Sequence, residues 1–309
     1  FYKALKIKFK KINRLNLKII SLIILLFPTF RAYSIWPDPH LFGTLFFIIA
    51  IYYFVKFEKS DNRKRINYAC LNIFFVALSS YISPNFSVFS IFFFFQFLLH
   101  FKIISKECFY IFVLNLVLSL PAIYYIFILD INFMAKPAAI GVGKNEKIIF
   151  NNLFNDILIT FSIIFYYLLP FIFFKIIKID NVFNFKNLII SISVWLICIN
   201  YFDYVYSYSG GGVFFKSSNF LFQNNFFFYF ISLIAIMIIT PLLIKNKFNF
   251  LLFILIILNN PQYTIYHKYF DPFLIISFFT IFKFETNMLN IFHKKNYVYI
   301  FLYFLVFLV

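Results

Sequence analysis

The sequence has few charged residues and few glycines. Of its 309 residues only 13% are charged and six are glycine, whereas 63% are hydrophobic and the mean hydropathy is +0.89. Soluble domains carry about a quarter charged residues, so this chain lacks the polar side chains that would cover its surface in water. The composition therefore excludes an ordinary soluble domain and predicts an integral membrane protein whose main solvent is lipid.

Cysteine and acidic residues are also scarce. Cys70, Cys108 and Cys198 lie far apart in apolar stretches, without the close spacing of metal ligands, so neither a disulfide framework nor a zinc site is predicted. Eleven acidic residues stand against 28 basic ones, and the net charge is +17. In a membrane protein such an excess is typical of the loops that fix its orientation, and we expect no nucleic acid partner.

Apolar runs take up most of the remaining sequence. About eleven of them come near the roughly 20 residues that a helix needs to cross a bilayer, and they predict an all-α fold, a polytopic transmembrane helical bundle that forms one domain over residues 1–309. The weakest run is 248–258, which alternatively forms a re-entrant pair with its neighbour. The predicted spans are 15–30, 41–55, 67–83, 86–101, 108–129, 156–174, 187–202, 226–244, 248–258, 272–282 and 297–309.

The distribution of basic residues predicts the orientation of this bundle. If the N-terminus is cytoplasmic, the segments that face the cytoplasm hold 22 of the 28 Lys and Arg residues. This asymmetry is the one that the positive-inside rule requires. The opposite side then carries the loop 203–225, Trp36, His40, His267, several Tyr residues and five of the seven Asp residues. We therefore expect the active face there, on the periplasmic side of a bacterial inner membrane.

The first polar segment on that side is RAYSIWPDPH, residues 31–40. Pro37 and Pro39 prevent a continuous helix, so Asp38 immediately precedes the next span. A carboxylate at that position caps a helix and complements its dipole, which is the structural interpretation of Asp38. Charged groups at a membrane boundary are also typical of functional sites. The functional candidates in this segment are Arg31, Tyr33, Trp36, Asp38 and His40, although interfacial anchoring also explains the two aromatic residues.

The second polar segment is QYTIYHKYFDP, residues 262–272. It repeats the order of cation, aromatic residue, acid and proline before a predicted span. His267 and Lys268 are donors suited to a phosphate group, Tyr269 can stack on a sugar face, and Asp271 precedes Pro272 at a predicted helix start. The alternative interpretation is an interfacial loop with basic and aromatic anchors.

Three of the six glycines stand together at Gly210–Gly212. A run of this kind is either a flexible loop, which is the commoner case, or a backbone cradle for an anion. Because no Walker motif follows it, we prefer the flexible loop.

The first polar segment leads into an apolar run that ends in YYFVKFEKS, and this unit resembles the loop-and-span unit of the GT-C type glycosyltransferases. Members of this polytopic family include bacterial lipid A and mannosyl transferases that use polyprenyl-phosphate sugars. The second segment, in HKYFDPFL, is similar to a late extracytoplasmic segment of that family, where a basic–aromatic pair precedes a helix that starts with proline. The number of spans is also similar.

The resemblance implies a membrane glycosyltransferase that moves a sugar from a polyprenyl-phosphate donor to a lipid or glycan acceptor, with membrane lipids around it. Family members carry their main catalytic carboxylate in the loop after the first transmembrane helix, so we expect that helix and its acid upstream of Phe1, with Asp38 as a supporting acid. No cofactor is certain, and a divalent metal stays open. The implied catalytic residues are Asp38 and His40, and the implied substrate- and phosphate-binding residues are Arg31, Tyr33, Trp36, His267, Lys268, Tyr269 and Asp271.

Other functions remain open at this point. A transporter or flippase of lipid-linked glycans would also have many membrane-spanning helices. Interrupted helices with ionisable groups near the membrane midplane would favour a transporter. A polymerase or ligase of surface polysaccharide is also polytopic, but it would be expected to carry a large periplasmic loop rich in Arg. A non-enzymatic membrane scaffold is the last alternative. The acids at the ends of the predicted spans favour a reaction site at the membrane surface.

Overall fold

The computed structural model describes residues 1–35, 38–102, 104–129, 152–175, 182–205, 210–260, 264–284, 288–291 and 296–308. These residues form helices and turns with no strand among them, which confirms the all-α prediction. The α-helices are α1 Tyr2–Lys8, α2 Arg14–Ser21, α3 Pro28–Ile35, α4 Pro39–Lys59, α5 Asn62–Ile82, α6 Phe89–Phe101, α7 Lys106–Phe127, α8 Leu153–Phe173, α9 Phe185–Asn200, α10 Gly212–Phe222, α11 Phe226–Ile244, α12 Lys247–Leu258, α13 Phe273–Thr280 and α14 Asn296–Phe304. Short 3-10 helices cover Leu22–Leu26, Pro84–Val88, His267–Tyr269, Met288–Ile291 and Leu305–Leu308.

Five helical segments in the described part of the chain are long and apolar enough to cross a membrane: Pro39–Lys59, Pro84–Phe101, Lys106–Phe127, Leu153–Phe173 and Phe226–Ile244. The protein is therefore a membrane protein. Two further apolar helices, α9 and α12, contain 16 and 12 residues, and these correspond to only about 24 Å and 18 Å of helix.

The run 15–30 differs from the continuous span that the sequence predicts. It is divided into α2, the 3-10 helix Leu22–Leu26 and the start of α3. The division comes at Phe27, whose backbone is extended with a ψ of 131°. The cause is Pro28, which disfavours the helical conformation of the residue before it and has no N–H to continue the helical hydrogen bonds.

The chain divides into two compact units. The first contains Phe1–Phe133, Ile275–Phe282 and Phe304–Val309, and the second contains Met134–Leu274 and Lys283–Tyr303. The first polar segment belongs to the first unit and the second polar segment to the second unit.

In the first unit, α4 and α5 pack closely because small residues line their contact. The Ser79 hydroxyl donates to the Gly43 carbonyl at 2.7 Å, and the Asn72 side chain donates to the Ala50 carbonyl at 2.8 Å. The opposite side of α4 packs its phenylalanines on α6, where the rings of Phe54 and Phe93 have centroids 5.1 Å apart. These contacts fix the start of α4, and with it Asp38 and His40.

In the second unit, α8 is the central helix, and 78% of its most apolar 18-residue stretch is buried. Helices α9, α10, α11 and α12 pack around it. Helix α10 lies within the predicted loop 203–225, so that loop prediction was wrong over Gly212–Phe222. The reason is that the apolar residues after the glycines form a helical face, on which Phe215 is fully buried.

The segment from α12 to Lys283 returns to its starting point. The Asn249 side chain donates to the Lys283 carbonyl and accepts from the Lys283 backbone N–H, both at 2.9 Å. Neither α12, with 12 residues, nor α13, with 8 residues, is long enough to cross a bilayer alone. This geometry fits the re-entrant interpretation of the run 248–258.

Candidate functional site

Asp38 caps the N-terminus of α4. One carboxylate oxygen accepts the backbone N–H of His40 at 2.7 Å, and Pro39 occupies the first helical position. Proline suits that position because the first turn has no intrahelical partner for its N–H. Asp38 is partly exposed, so its carboxylate is not enclosed, and it lies at the end of a helix that is long and apolar enough to cross a membrane. The capping interpretation of Asp38 is therefore confirmed, although α4 begins at Pro39, two residues before the predicted span 41–55.

His40 is buried and tied to the end of α5. Its Nδ1 lies 2.8 Å from the Ser83 hydroxyl, and its ring stacks on Phe86 with centroids 5.3 Å apart. The Thr44 hydroxyl donates to the His40 carbonyl at 2.9 Å one helical turn later. These contacts hold the imidazole in one orientation, two residues after Asp38, and they fix the N-terminal end of α4.

Replacing Ser83 with Ala is expected to lower the thermal unfolding midpoint in detergent. The substitution removes the partner of a buried imidazole nitrogen, and such a loss costs about 1–3 kcal/mol. Ser80→Ala is the matched control, because Ser80 is partly buried and its hydroxyl donates only locally, to Val76 at 2.8 Å. Equal midpoints for the two variants would show that the His40–Ser83 contact contributes nothing to stability.

The other candidates of the first segment lie on α3 or beyond it. Arg31 is partly exposed, and its backbone N–H bonds to the Phe27 carbonyl at 3.1 Å. Tyr33 lies on the same helix. Trp36 lies outside the described residues, so its predicted role in binding is not addressed by the structure.

The second polar segment is folded inward. Asp271 is 1% exposed and Tyr269 is 6% exposed. The His267 carbonyl accepts the backbone N–H groups of Phe270 and Asp271, which makes a compact turn. The Lys268 ammonium lies over the rings of Tyr266 and Tyr269, 5.5 and 5.4 Å from their centroids, a favourable cation–π arrangement. The turn is therefore enclosed at Tyr269 and Asp271 and partly exposed at His267 and Lys268.

His267 is neutral near pH 7. Part of the residue reaches the surface, but its Nδ1 is buried, and this burial lowers the pKa of His267 from 6.5 to about 4, because the charged imidazolium loses its hydration. A neutral imidazole can donate one hydrogen bond to a phosphate, but it does not supply the positive charge that makes a strong phosphate partner.

Acid is expected to destabilise the protein through His267. Between pH 6.5 and about 4 the unfolded chain binds a proton at this residue and the folded protein does not. Stability is therefore lost as the pH falls through this window, by about 3 kcal/mol at most. Unfolding midpoints measured from pH 7 to pH 4 in detergent test this. His267→Gln should reduce the loss of the unfolding midpoint between pH 7 and pH 4. His100→Gln, which removes an exposed histidine, should leave most of that loss unchanged. An equal pH dependence of the midpoint in wild type and His267→Gln would contradict the lowered pKa of His267.

The structure adds two tyrosines that the sequence interpretation missed. Tyr167 of α8 is fully buried, and its hydroxyl interacts with the carboxylate of Asp271. The neighbouring Tyr166 also interacts electrostatically with that carboxylate. The Tyr303 hydroxyl donates to the Tyr166 carbonyl at 2.9 Å. The available signal was the Tyr–Tyr pair inside the otherwise apolar run of α8, since hydroxyls buried in a membrane helix need polar partners.

A second missed cluster lies at the N-terminus of α8. The Asn155 side chain donates to Asp203 at 2.6 Å, and Asn152 donates to Asp156 at 3.2 Å. These bonds join the loop after α9 to the first turn of α8. The signal in the sequence was the polar stretch Asn152–Asp156 at the start of an apolar run. Within the described ranges no three His, Cys, Asp or Glu side chains lie together as metal ligands would.

Gly210, Gly211 and Gly212 are packed rather than open. All three have positive φ, and the Gly211 N–H donates to the Ile265 carbonyl at 3.0 Å. The Tyr204 hydroxyl accepts the Ile265 N–H at 3.1 Å. The glycines thus join α10 to the second polar segment, and this contact accounts for them without an anion.

No family model, no curated protein and no solved structure matches this chain. The functional assignment therefore depends on the residues and their geometry.

Proposed function

We propose that the protein is a membrane glycosyltransferase that moves a sugar from a polyprenyl-phosphate donor to a lipid or glycan acceptor on the non-cytoplasmic face. The supporting observation is the position of Asp38, a partly exposed carboxylate at the end of a membrane-spanning helix. A lipid-linked sugar places its reacting carbon at the same level of the bilayer, between the buried chain and the water. A bundle of about eleven spans with a cytoplasmic N-terminus in a bacterial inner membrane belongs to this proposal.

In the proposed reaction a carboxylate removes the proton of the acceptor hydroxyl. The acceptor oxygen then forms a bond to the anomeric carbon while the bond from that carbon to the phosphate oxygen breaks, and polyprenyl phosphate leaves with the electron pair. A single displacement of this kind inverts the configuration of the sugar. Asp38 is the supporting acid of this step, and Arg31 stabilises the negative charge that grows on the phosphate.

In this proposal His40 positions the carboxylate of Asp38 and does not contact the substrate. Its burial and its contacts with Ser83 and Phe86 fix the backbone N–H that Asp38 accepts. The carboxylate is held in one orientation as a result, and orientation is a large part of the rate that an enzyme gains. The binding roles of Tyr33, Trp36, His267, Lys268, Tyr269 and Asp271 stay predictions.

Transport of a lipid-linked glycan is the second candidate, and one observation favours it. Asp271 is buried in the turn between α12 and α13, neither of which is long enough to cross a bilayer. Interrupted helices with a buried ionisable residue between them are typical of transporter binding sites.

A labelled donor separates the two candidates. Membranes that contain the full-length protein receive a polyprenyl-phosphate donor with a radiolabelled sugar on a defined side. Transfer predicts label in a new lipid or glycan product. Label that stays on polyprenyl phosphate but reaches the opposite leaflet, with no product, would overturn the proposal in favour of transport.

A further inference from the structure

The first unit contains a groove between α6 and α7 that the proposed reaction does not use. Its volume is about 690 Å³, which lies in the range of sites that hold small molecules and lipid-sized ligands. Phe94 and Leu98 of α6 and Phe109 and Phe112 of α7 line it. The groove is open along one side, because little of the protein covers α7: only 6% of the most apolar 18-residue stretch of α7 is buried.

The rim of this groove is polar and basic. Ser105 and Lys106 line its end, at the start of α7. The Ser105 hydroxyl accepts the Cys108 N–H at 3.1 Å. Lys106 is exposed; Lys102 before it and Glu107 after it are exposed as well, but they do not line the groove. Lys106 is the charged residue among the described residues that line the groove, so this end of the groove favours an anion.

The distances suit a ligand with an anionic head and an apolar chain. Phe112 follows Lys106 by six residues, so the apolar wall extends about 9 Å along α7 from the charged rim. We propose that this groove binds an anionic phospholipid of the membrane, with its phosphate at Lys106 and one acyl chain against Leu98, Phe109 and Phe112.

The choice of a phospholipid over the polyprenyl-phosphate donor rests on the membrane orientation included in the proposed function. Lys102 and Lys106 belong to the basic set that the sequence assigns to the cytoplasmic side, whereas the proposed transfer takes place on the opposite face. Anionic phospholipids of the cytoplasmic leaflet attract such lysines by about 1 kcal/mol each. The groove is thus separate from the proposed reaction site, and lipid binding there does not require sugar transfer.

Native mass spectrometry of the full-length protein, released from detergent micelles that contain phosphatidylglycerol, phosphatidylcholine or polyprenyl phosphate, tests the site. The wild type is expected to keep bound phosphatidylglycerol when phosphatidylcholine is lost. Lys106→Gln should weaken phosphatidylglycerol binding about fivefold, the factor that corresponds to one lysine. Leu98→Trp, which fills the groove, should lower the binding of both lipids.

Lys59→Gln is the matched control, because Lys59 is an exposed lysine at the end of α4 in the same basic set. It should leave the bound phosphatidylglycerol unchanged. An equal loss in Lys59→Gln and Lys106→Gln would mean general attraction without a site. Unchanged binding in both Lys106→Gln and Leu98→Trp, or preferred retention of polyprenyl phosphate over phosphatidylglycerol, would also overturn the proposal.

Discussion

Replacing Asp38 with Asn is expected to lower sugar transfer by about tenfold or more, since a positioned carboxylate contributes at least that much to proton transfer. Expression and the thermal unfolding midpoint should stay unchanged. The reason is that Asn caps a helix about as well as Asp does, and its side-chain oxygen can accept the His40 N–H that Asp38 accepts now. The transfer rate and the unfolding midpoint, measured on the same preparation, check both parts.

Asp61→Asn provides the control for this experiment. Asp61 is the residue before α5, and there its side chain makes no capping hydrogen bond. Its removal changes the same charge at another helix start and should leave transfer unaffected. If Asp38→Asn turns over at the wild-type rate, Asp38 is a helix cap and no more.

Replacing Gly210 with Ala is expected to destabilise the second unit by on the order of 3 kcal/mol or more. A Cβ atom at Gly210 would lie 2.0 Å from the Ile265 carbonyl oxygen, and the φ of +91° is a conformation that L-residues rarely adopt. The backbone of Ile265 would have to move, which breaks the hydrogen bond from Gly211 at 3.0 Å. Thermal unfolding in detergent measures the loss.

Gly211→Ala separates the two causes. Gly211 has a similar φ of +84°, but a Cβ there would meet the rings of Phe215 and Tyr204 instead of a backbone atom. Because side chains can adjust, Gly211→Ala should lower the unfolding midpoint less than Gly210→Ala. Equal or reversed losses would contradict the close contact with Ile265.

The sequence predicted the membrane class, the all-α fold and the start of α4 to within two residues, but it did not predict which helices are enclosed. Helices α7 and α8 have similar length and similar mean hydropathy. Yet only 6% of the most apolar stretch of α7 is buried, whereas 78% of the corresponding stretch of α8 is buried. Phe, Ile and Leu occur on all sides of both helices. A helix that is apolar all round has no face pattern to show whether lipid or protein surrounds it.

The two polar segments show the same limit at the level of the site. Asp38 precedes Pro39 and Asp271 precedes Pro272, so both segments contain the same Asp-Pro pair before a helix. Asp38 is partly exposed, whereas Asp271 is buried beside Tyr167. Capping depends on neighbours in the chain and was predictable. The burial of Asp271 depends on a tyrosine about a hundred residues away, and no local pattern encodes such a contact.

The most direct measurement is the stoichiometry of the reaction in vesicles that contain the purified full-length protein, a polyprenyl-phosphate sugar and a candidate acceptor. The proposed displacement predicts that glycosylated acceptor and free polyprenyl phosphate form in equal amounts, with inverted configuration at the anomeric carbon. Donor that is consumed without acceptor product, or that only moves between leaflets, would contradict glycosyl transfer by this protein.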